Sequence, residues 1–128
     1  MILIGTKCRL EQTVTDALTA ANVGSGALPV FGTPYMSALM ENAACNAIAD
    51  ALEDGQSSVG TKLDVSHDAA TPVGMHVTAG AELIEVDRRR LVFRVTASDD
   101  AGPIGQGTHE RFLIMAEKFL AKAEAKKG

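Results

Sequence analysis

Apolar side chains recur along this chain with two different periods, and the change falls just before Ser57. From there on they appear at every second position, the spacing of a strand with one buried face. "SSVGTKLDVSHD" sets Leu63, Val65 and His67 on one side and Lys62, Asp64 and Ser66 on the other. "GMHVTAGAELIEVD" aligns Met75, Val77, Ala79, Ala81 and Leu83, and "RRLVFRVTASDD" aligns Leu91, Phe93, Val95 and Ala97. "GPIGQGTHERFLIMAE" supplies a last strand, and the turn signals "ATPVG", "VDRRR" and "DDAG" separate the four. Earlier in the chain, "TKCRLEQTVTDA" (6–17) alternates imperfectly as a first strand, and "LTAANVGSGALP" gathers loop formers into a loop or lid. "KFLAKAEAKKG" ends the chain as a short helix fraying into a basic tail.

Residues 33 to 55 carry the helical period. Thr33-Pro34 reads as a hydroxyl N-cap followed by proline at the first helical position, and Asp54-Gly55 as the stop. Asn42, Asn46, Asp50 and Glu53 occupy one narrow sector of the wheel, while Met36, Met40, Ala43, Ala44, Cys45, Ala47, Ile48, Ala51 and Leu52 fill most of the rest. A helix apolar over most of its circumference is expected to be largely enclosed. One long helix followed by an antiparallel meander predicts an α+β fold in which the sheet covers the helix, with the alanines permitting close approach.

The 128 residues form one expected domain, 1–128. A composition of 46% hydrophobic and only 4% aromatic residues requires an aliphatic core, and a net charge of -4 disfavours nucleic-acid binding. Cys8 and Cys45 fit neither a disulfide framework nor a zinc motif and read as reduced, buried thiols. The start "MILIGTKCRLEQ" lacks the features of a signal peptide, and no apolar run is long enough to span a bilayer, so no membrane association and a cytoplasmic location are expected.

Glu41 interrupts the apolar face of the helix, within about 20° of Ile48 and Leu52 at 100° per residue. A carboxylate placed inward is either a structural partner for a cation or amide, or a tuned base or nucleophile, and the wheel fits both. His67 shares the inward side of its strand with Leu63 and Val65, which suits a core histidine as well as a catalyst. His109 and Arg111 share a face with Leu113, where a buried arginine needs an acidic partner such as Glu41, or a ligand. "GQG" at 105–107 lacks the context of a dinucleotide fingerprint, and no P-loop, nucleophile elbow or H-E-x-x-H occurs. Strand alternation sets His67 opposite Asp64 and Asp68, so no metal site is expected; "RRR" at 88–90 reads as a solvated hairpin corner.

With these residues in hand, the whole chain resembles the hotdog-fold acyl-CoA thioesterases, most closely the fluoroacetyl-CoA thioesterase-like group. The stretches that carry the likeness are "VFGTPYMSALMENAACNAIADAL", "SVGTKLDVSHDAATPVGMHVTAGAEL", "VDRRRLVFRVTASD" and "IGQGTHERFLIMAEKFLAK". The resemblance implies a hotdog fold, an antiparallel sheet wrapped around one long helix, assembled as a homodimer or a dimer of dimers with active sites at the subunit interface. It implies an acyl-CoA substrate, no cofactor, and catalytic roles for Thr33, Glu41 and His67, with Gly60 and Arg111 at the acyl group. Whether Glu41 forms an acyl anhydride or activates water stays open. A fluoroacetyl-specific member is expected to close its pocket with aromatic side chains ahead of the helix, whereas 22–29, "NVGSGALP", has none. Two other functions fit a hotdog domain: an acyl-CoA-binding module without turnover, and an enoyl-CoA hydratase or dehydratase.

Overall fold

The computed structural model describes the chain from Met1 to Gly128. Its elements are β1 (Lys7–Thr13), α1 (Ala20–Val23), α2 (Thr33–Ile48), β2 (Gln56–His67), β3 (His76–Asp87), β4 (Arg90–Asp99), β5 (Gly102–Met115) and α3 (Ala116–Glu124). All five strands join one antiparallel sheet in the order β1-β3-β4-β5-β2. The meander β3-β4-β5 occupies the centre because short turns connect it, and β2 reaches back to pair with β5. That return leaves β2 as a free edge, twelve residues long.

The core forms where α2 crosses the inner face of the sheet. Val77, Ala79, Ala81 and Leu83 of β3 and Leu91, Phe93, Val95 and Ala97 of β4 are buried against Met36, Leu39, Met40, Ala43, Ala44 and Ile48. The alternation in "VTAGAEL" and "LVFRVTA" thus marks the true inner face. Burying each large aliphatic or aromatic side chain contributes roughly 1.5–3 kcal/mol, and the alanines of α2 and β3 bring backbone close to backbone. No helix is long and apolar enough to cross a membrane.

Several boundaries and burials depart from expectation. β1 ends at Thr13, because the chain turns inward at buried Val14 and then makes a 3-10 turn at Asp16–Leu18. α2 stops at Ile48 and continues as a 3-10 turn, Ala49–Ala51, short of the glycine stop. Its N-cap is Gly32, so Thr33 is the first helical residue and its hydroxyl is not spent on capping. The helix is not enclosed on all sides: Ala38, Asn42 and Asn46 are exposed and Glu41 is half exposed. Cys8 and Cys45 are free thiols but only partly buried. Met75 precedes β3 and is likewise only partly buried.

A feature invisible to the alternation pattern sets the inner face of β2. The pairing steps from Gly60↔Arg111 to Lys62↔Glu110, which leaves Thr61 as the extra residue of a β-bulge. A bulge changes the parity of the strand. Ser58 and Gly60 therefore face inward before it, and Leu63, Val65 and His67 face inward after it, opposite Leu113, Arg111, His109, Gly107 and Gly105. "GQG" has a packing role here: a Cβ on Gly105 would strike Met36 Sδ at 2.8 Å, and one on Gly107 would run into the backbone of Asp64.

Candidate active site

Two groups of the expected site residues take shape on the inner face, at opposite ends of β2. The first joins Thr33 and His67: Thr33 Oγ1 lies 2.7 Å from His67 Nδ1. The pair forms because the first turn of α2 meets the last residue of β2, and because Gly32 has taken over the cap. His67 Nε2 is buried without a hydrogen-bond partner in the chain. A buried imidazole nitrogen with no partner is costly, which marks this atom as one that a substrate, a water or another chain would satisfy.

A cavity of about 230 Å³ opens beside this pair, lined by Ala20, Ser25, Val30, Phe31, Thr33, His67, Asp68, Ala69 and Ala70. Its walls are held by the loop between β2 and β3. Phe31 N–H donates to the Thr71 carbonyl at 2.8 Å, and the buried Thr71 hydroxyl donates to Asp99 Oδ2 at 2.7 Å. The Thr71 hydroxyl, with the Ala101 and Gly102 amides, holds the Asp99 carboxyl below the usual carboxylate range against the opposing effect of desolvation.

The second group surrounds Glu41. Its carboxylate is 41% exposed, with Oε2 at 3.8 Å from both Arg111 Nη1 and His109 Nε2. The helix wheel placed Glu41 inward; the side chain instead leans toward β2, the free edge strand of the sheet. Gly60 is what makes room, since a Cβ there would sit 2.8 Å from Glu41 Oε2 and 3.1 Å from His109 Cε1.

Beneath Glu41 the polar groups are buried and hydrogen-bonded. Arg111 donates from Nε to Ser58 Oγ at 2.9 Å and from Nη2 to the Ser58 carbonyl at 3.0 Å. Its Nη1 lies 3.1 Å from His109 Nε2, and His109 Nδ1 lies 2.8 Å from the Lys62 carbonyl. Burial pushes the His109 pKa below its ordinary value, and the Arg111 charge adds to this; the Lys62 carbonyl, Glu41 and Glu110 oppose it. On the other face of β5, Glu110 is held below the usual carboxylate range, chiefly by its hydrogen bond from Arg90, which also bridges to Glu85.

All five expected residues thus line the inner face, but the chain does not gather them at one point. Glu41 lies eight residues along α2 from Thr33, about 12 Å at 1.5 Å per residue. Sequence reasoning gave His109 no role in the site and missed Ser58, Phe31 and the Ala69-Ala70 wall. His109 alone had a readable signal, its shared face with Arg111; the others depend on the bulge and on the loop tether.

Comparison with known proteins agrees with this fold. The family described as "Fluoroacetyl-CoA-specific thioesterase" (FlK) matches residues 14–117. A fluoroacetyl-CoA thioesterase from Streptantibioticus cattleyicolor is 52% identical over 97 residues, covering 76% of this chain and 70% of that protein. The structure of the fluoroacetyl-CoA thioesterase FlK superposes with a TM-score of 0.92 at 40% identity over 98% of each chain. A thioesterase superfamily member from Thermus thermophilus has a TM-score of 0.92 at 29% identity, covering 99% of this chain and 94% of its own.

Proposed function

The chain belongs to the fluoroacetyl-CoA-specific thioesterase (FlK) family and is a hotdog-fold thioesterase; on that premise we propose that it hydrolyses a small acyl-CoA to a carboxylic acid and free CoA, as a cytoplasmic homodimer. The observation that carries the assignment of roles is the setting of Glu41. A carboxylate open to solvent has a buried arginine behind it at 3.8 Å and a glycine where any side chain would displace it.

In this reading Glu41 either attacks the thioester carbonyl, releasing CoA thiolate and leaving an anhydride that water then opens, or takes a proton from the water that attacks directly. His67 protonates the departing sulfur, and Thr33, bonded to it, orients the reacting group. The N-terminal end of α2 and the Gly60 N–H stabilise the oxyanion, a contribution often worth several kcal/mol of barrier. Arg111 sets a fixed positive charge beside Glu41. The scheme uses only the protein's side chains, its backbone N–H groups and water. The cavity of about 230 Å³ beside Thr33 and His67 suits a short or branched acyl group, walled by Phe31 and alanines rather than by aromatics of the 22–29 segment.

A second chain completes the site. β2 is a free edge, with Gly60 facing Glu41 toward one end and His67 at the other. Antiparallel pairing of two β2 strands, about a two-fold axis between those residues, would bring the Thr33–His67 end of one chain against the Glu41 end of its partner. Mixing inactive Glu41→Gln and His67→Ala dimers tests this. Subunit exchange yields hetero-dimers with one intact shared site, so thiol release should recover to roughly a quarter of the parent value by two-fold statistics. Sites contained in single chains would give no recovery, and turnover by unmixed Glu41→Gln would remove Glu41 from the mechanism.

A further inference from the structure

The candidate catalytic groups leave one buried titratable side chain without a role. His109 is 1% exposed, stands on the same face of β5 as Arg111, and reaches the far side of the carboxylate pocket. Its two ring contacts assign its chemistry. Nδ1 faces the Lys62 carbonyl at 2.8 Å, which can only accept, so Nδ1 carries the proton. Nε2 faces Arg111 Nη1 at 3.1 Å, which can only donate, so Nε2 presents its lone pair. His109 is therefore neutral with one defined tautomer. An imidazolium would point an N–H at a guanidinium.

The same contacts fix Arg111. Nε and Nη2 are engaged by Ser58, and one Nη1 hydrogen is engaged by His109. The second Nη1 hydrogen is the one left on the nitrogen that faces Glu41 Oε2 at 3.8 Å. Ser58 alone holds the opposite edge of the guanidinium; the edge nearest Glu41 is held from the side by His109. The Lys62 carbonyl lies one residue past the Thr61 bulge, so the imidazole also ties that edge to the feature that turns both Gly60 and His67 inward.

We propose that His109 is a positioning residue for hydrolysis: by accepting a hydrogen bond from Arg111 Nη1, it aims the guanidinium at Glu41 and so fixes the orientation of the reacting carboxylate. This rests on the reading that Glu41 is the catalytic carboxylate. The groups facing His109 are Arg111 from β5, Glu41 from α2, the Lys62 carbonyl from β2 and Phe93 from β4, whose ring centroid is 6.3 Å away, while the Glu110 charge acts from the other face of β5. Among them, only Arg111 donates to Nε2.

Two amide substitutions separate the halves of the imidazole. Gln at 109 keeps an acceptor near the Nε2 position and gives up the bond to Lys62, whereas Asn keeps a donor near Nδ1 and gives up the acceptor for Arg111. Steady-state thiol release from the parent, His109→Gln, His109→Asn and Glu41→Gln is the experiment. The expected result is a kcat within about threefold of the parent for His109→Gln, and one lower by about tenfold or more for His109→Asn, with KM for the acyl-CoA changed by less than about twofold. Equal kcat values for the two amide variants, high or low, would overturn the proposal. Turnover by Glu41→Gln would instead remove the reading beneath it. Should a variant fail to fold, nitrogen-15 NMR of the parent decides: the Nδ1–H tautomer with an unprotonated Nε2 at pH 7 supports the proposal, and an Nε2–H or doubly protonated ring refutes it.

Discussion

Thr33 and His67, 34 positions apart in sequence, meet at 2.7 Å and tie the first turn of α2 to the last residue of β2. The contact exists because Gly32, not Thr33, caps the helix. Thr33→Ala should leave the exposed helix start intact, with a stability change within about 0.5 kcal/mol, and lower kcat by about 10–100-fold as His67 loses its partner. Thr33→Ser keeps the hydroxyl and should recover most of that loss. Thiol-release kinetics beside thermal melts check both; a Thr33→Ala enzyme as fast as the parent would confine the contact to structure.

Glu41→Gln keeps the shape and removes the charge. Because the side chain is half open to solvent, the protein should fold with a stability within about 1 kcal/mol of the parent, while turnover falls by about 100-fold or more. A variant that melts far below the parent would make Glu41 a structural carboxylate.

Gly60→Ala probes the same pocket from the other side. Its Cβ would meet Glu41 Oε2 at 2.8 Å, the movable end of a flexible side chain, and His109 Cε1 at 3.1 Å. The carboxylate should swing away at a cost of about 1–2 kcal/mol in stability, with a loss of activity approaching that of Glu41→Gln. Normal turnover would show that Glu41 works from another rotamer.

The shifted pKa values place two acid-sensitive windows. His109 has a folded pKa below its ordinary 6.5, so the unfolded chain takes up the proton more readily. The stability it contributes is full above about pH 6.5 and is lost as pH falls toward the folded value. Asp99 and Glu110 are also depressed, from ordinary values of 3.8 and 4.5, so their contributions are lost only in stronger acid, below those values. Melting temperatures should show one decline beginning near pH 6.5, absent in His109→Gln, and a second below about pH 4.5.

Thr71→Val removes a buried hydroxyl from Asp99 and should cost about 1.5–3 kcal/mol, the range for a hydrogen bond to a charged group. Because the Thr71 carbonyl also holds Phe31, the cavity wall should loosen, raising KM more than it lowers kcat. Denaturant melts and a comparison of short and branched acyl-CoAs would show it.

The sequence by itself determined the order of elements, the inner faces of β3 and β4, and the residue types of the site, because these rest on local periodicity and on residues that the family likeness picks out. "VTAGAEL" and "LVFRVTA" face the helix as their alternation says, and Thr33, Glu41, Gly60, His67 and Arg111 all line the inner surface. Tertiary structure alone decided how those residues meet. An extra residue at Thr61 changes the parity of β2, the cap passes to Gly32 and frees the Thr33 hydroxyl, and the free edge at β2 leaves Glu41 half exposed. It also gave His109 its partners. Each of these depends on which strand pairs with which and in what register, a relation among residues tens of positions apart that no local period encodes.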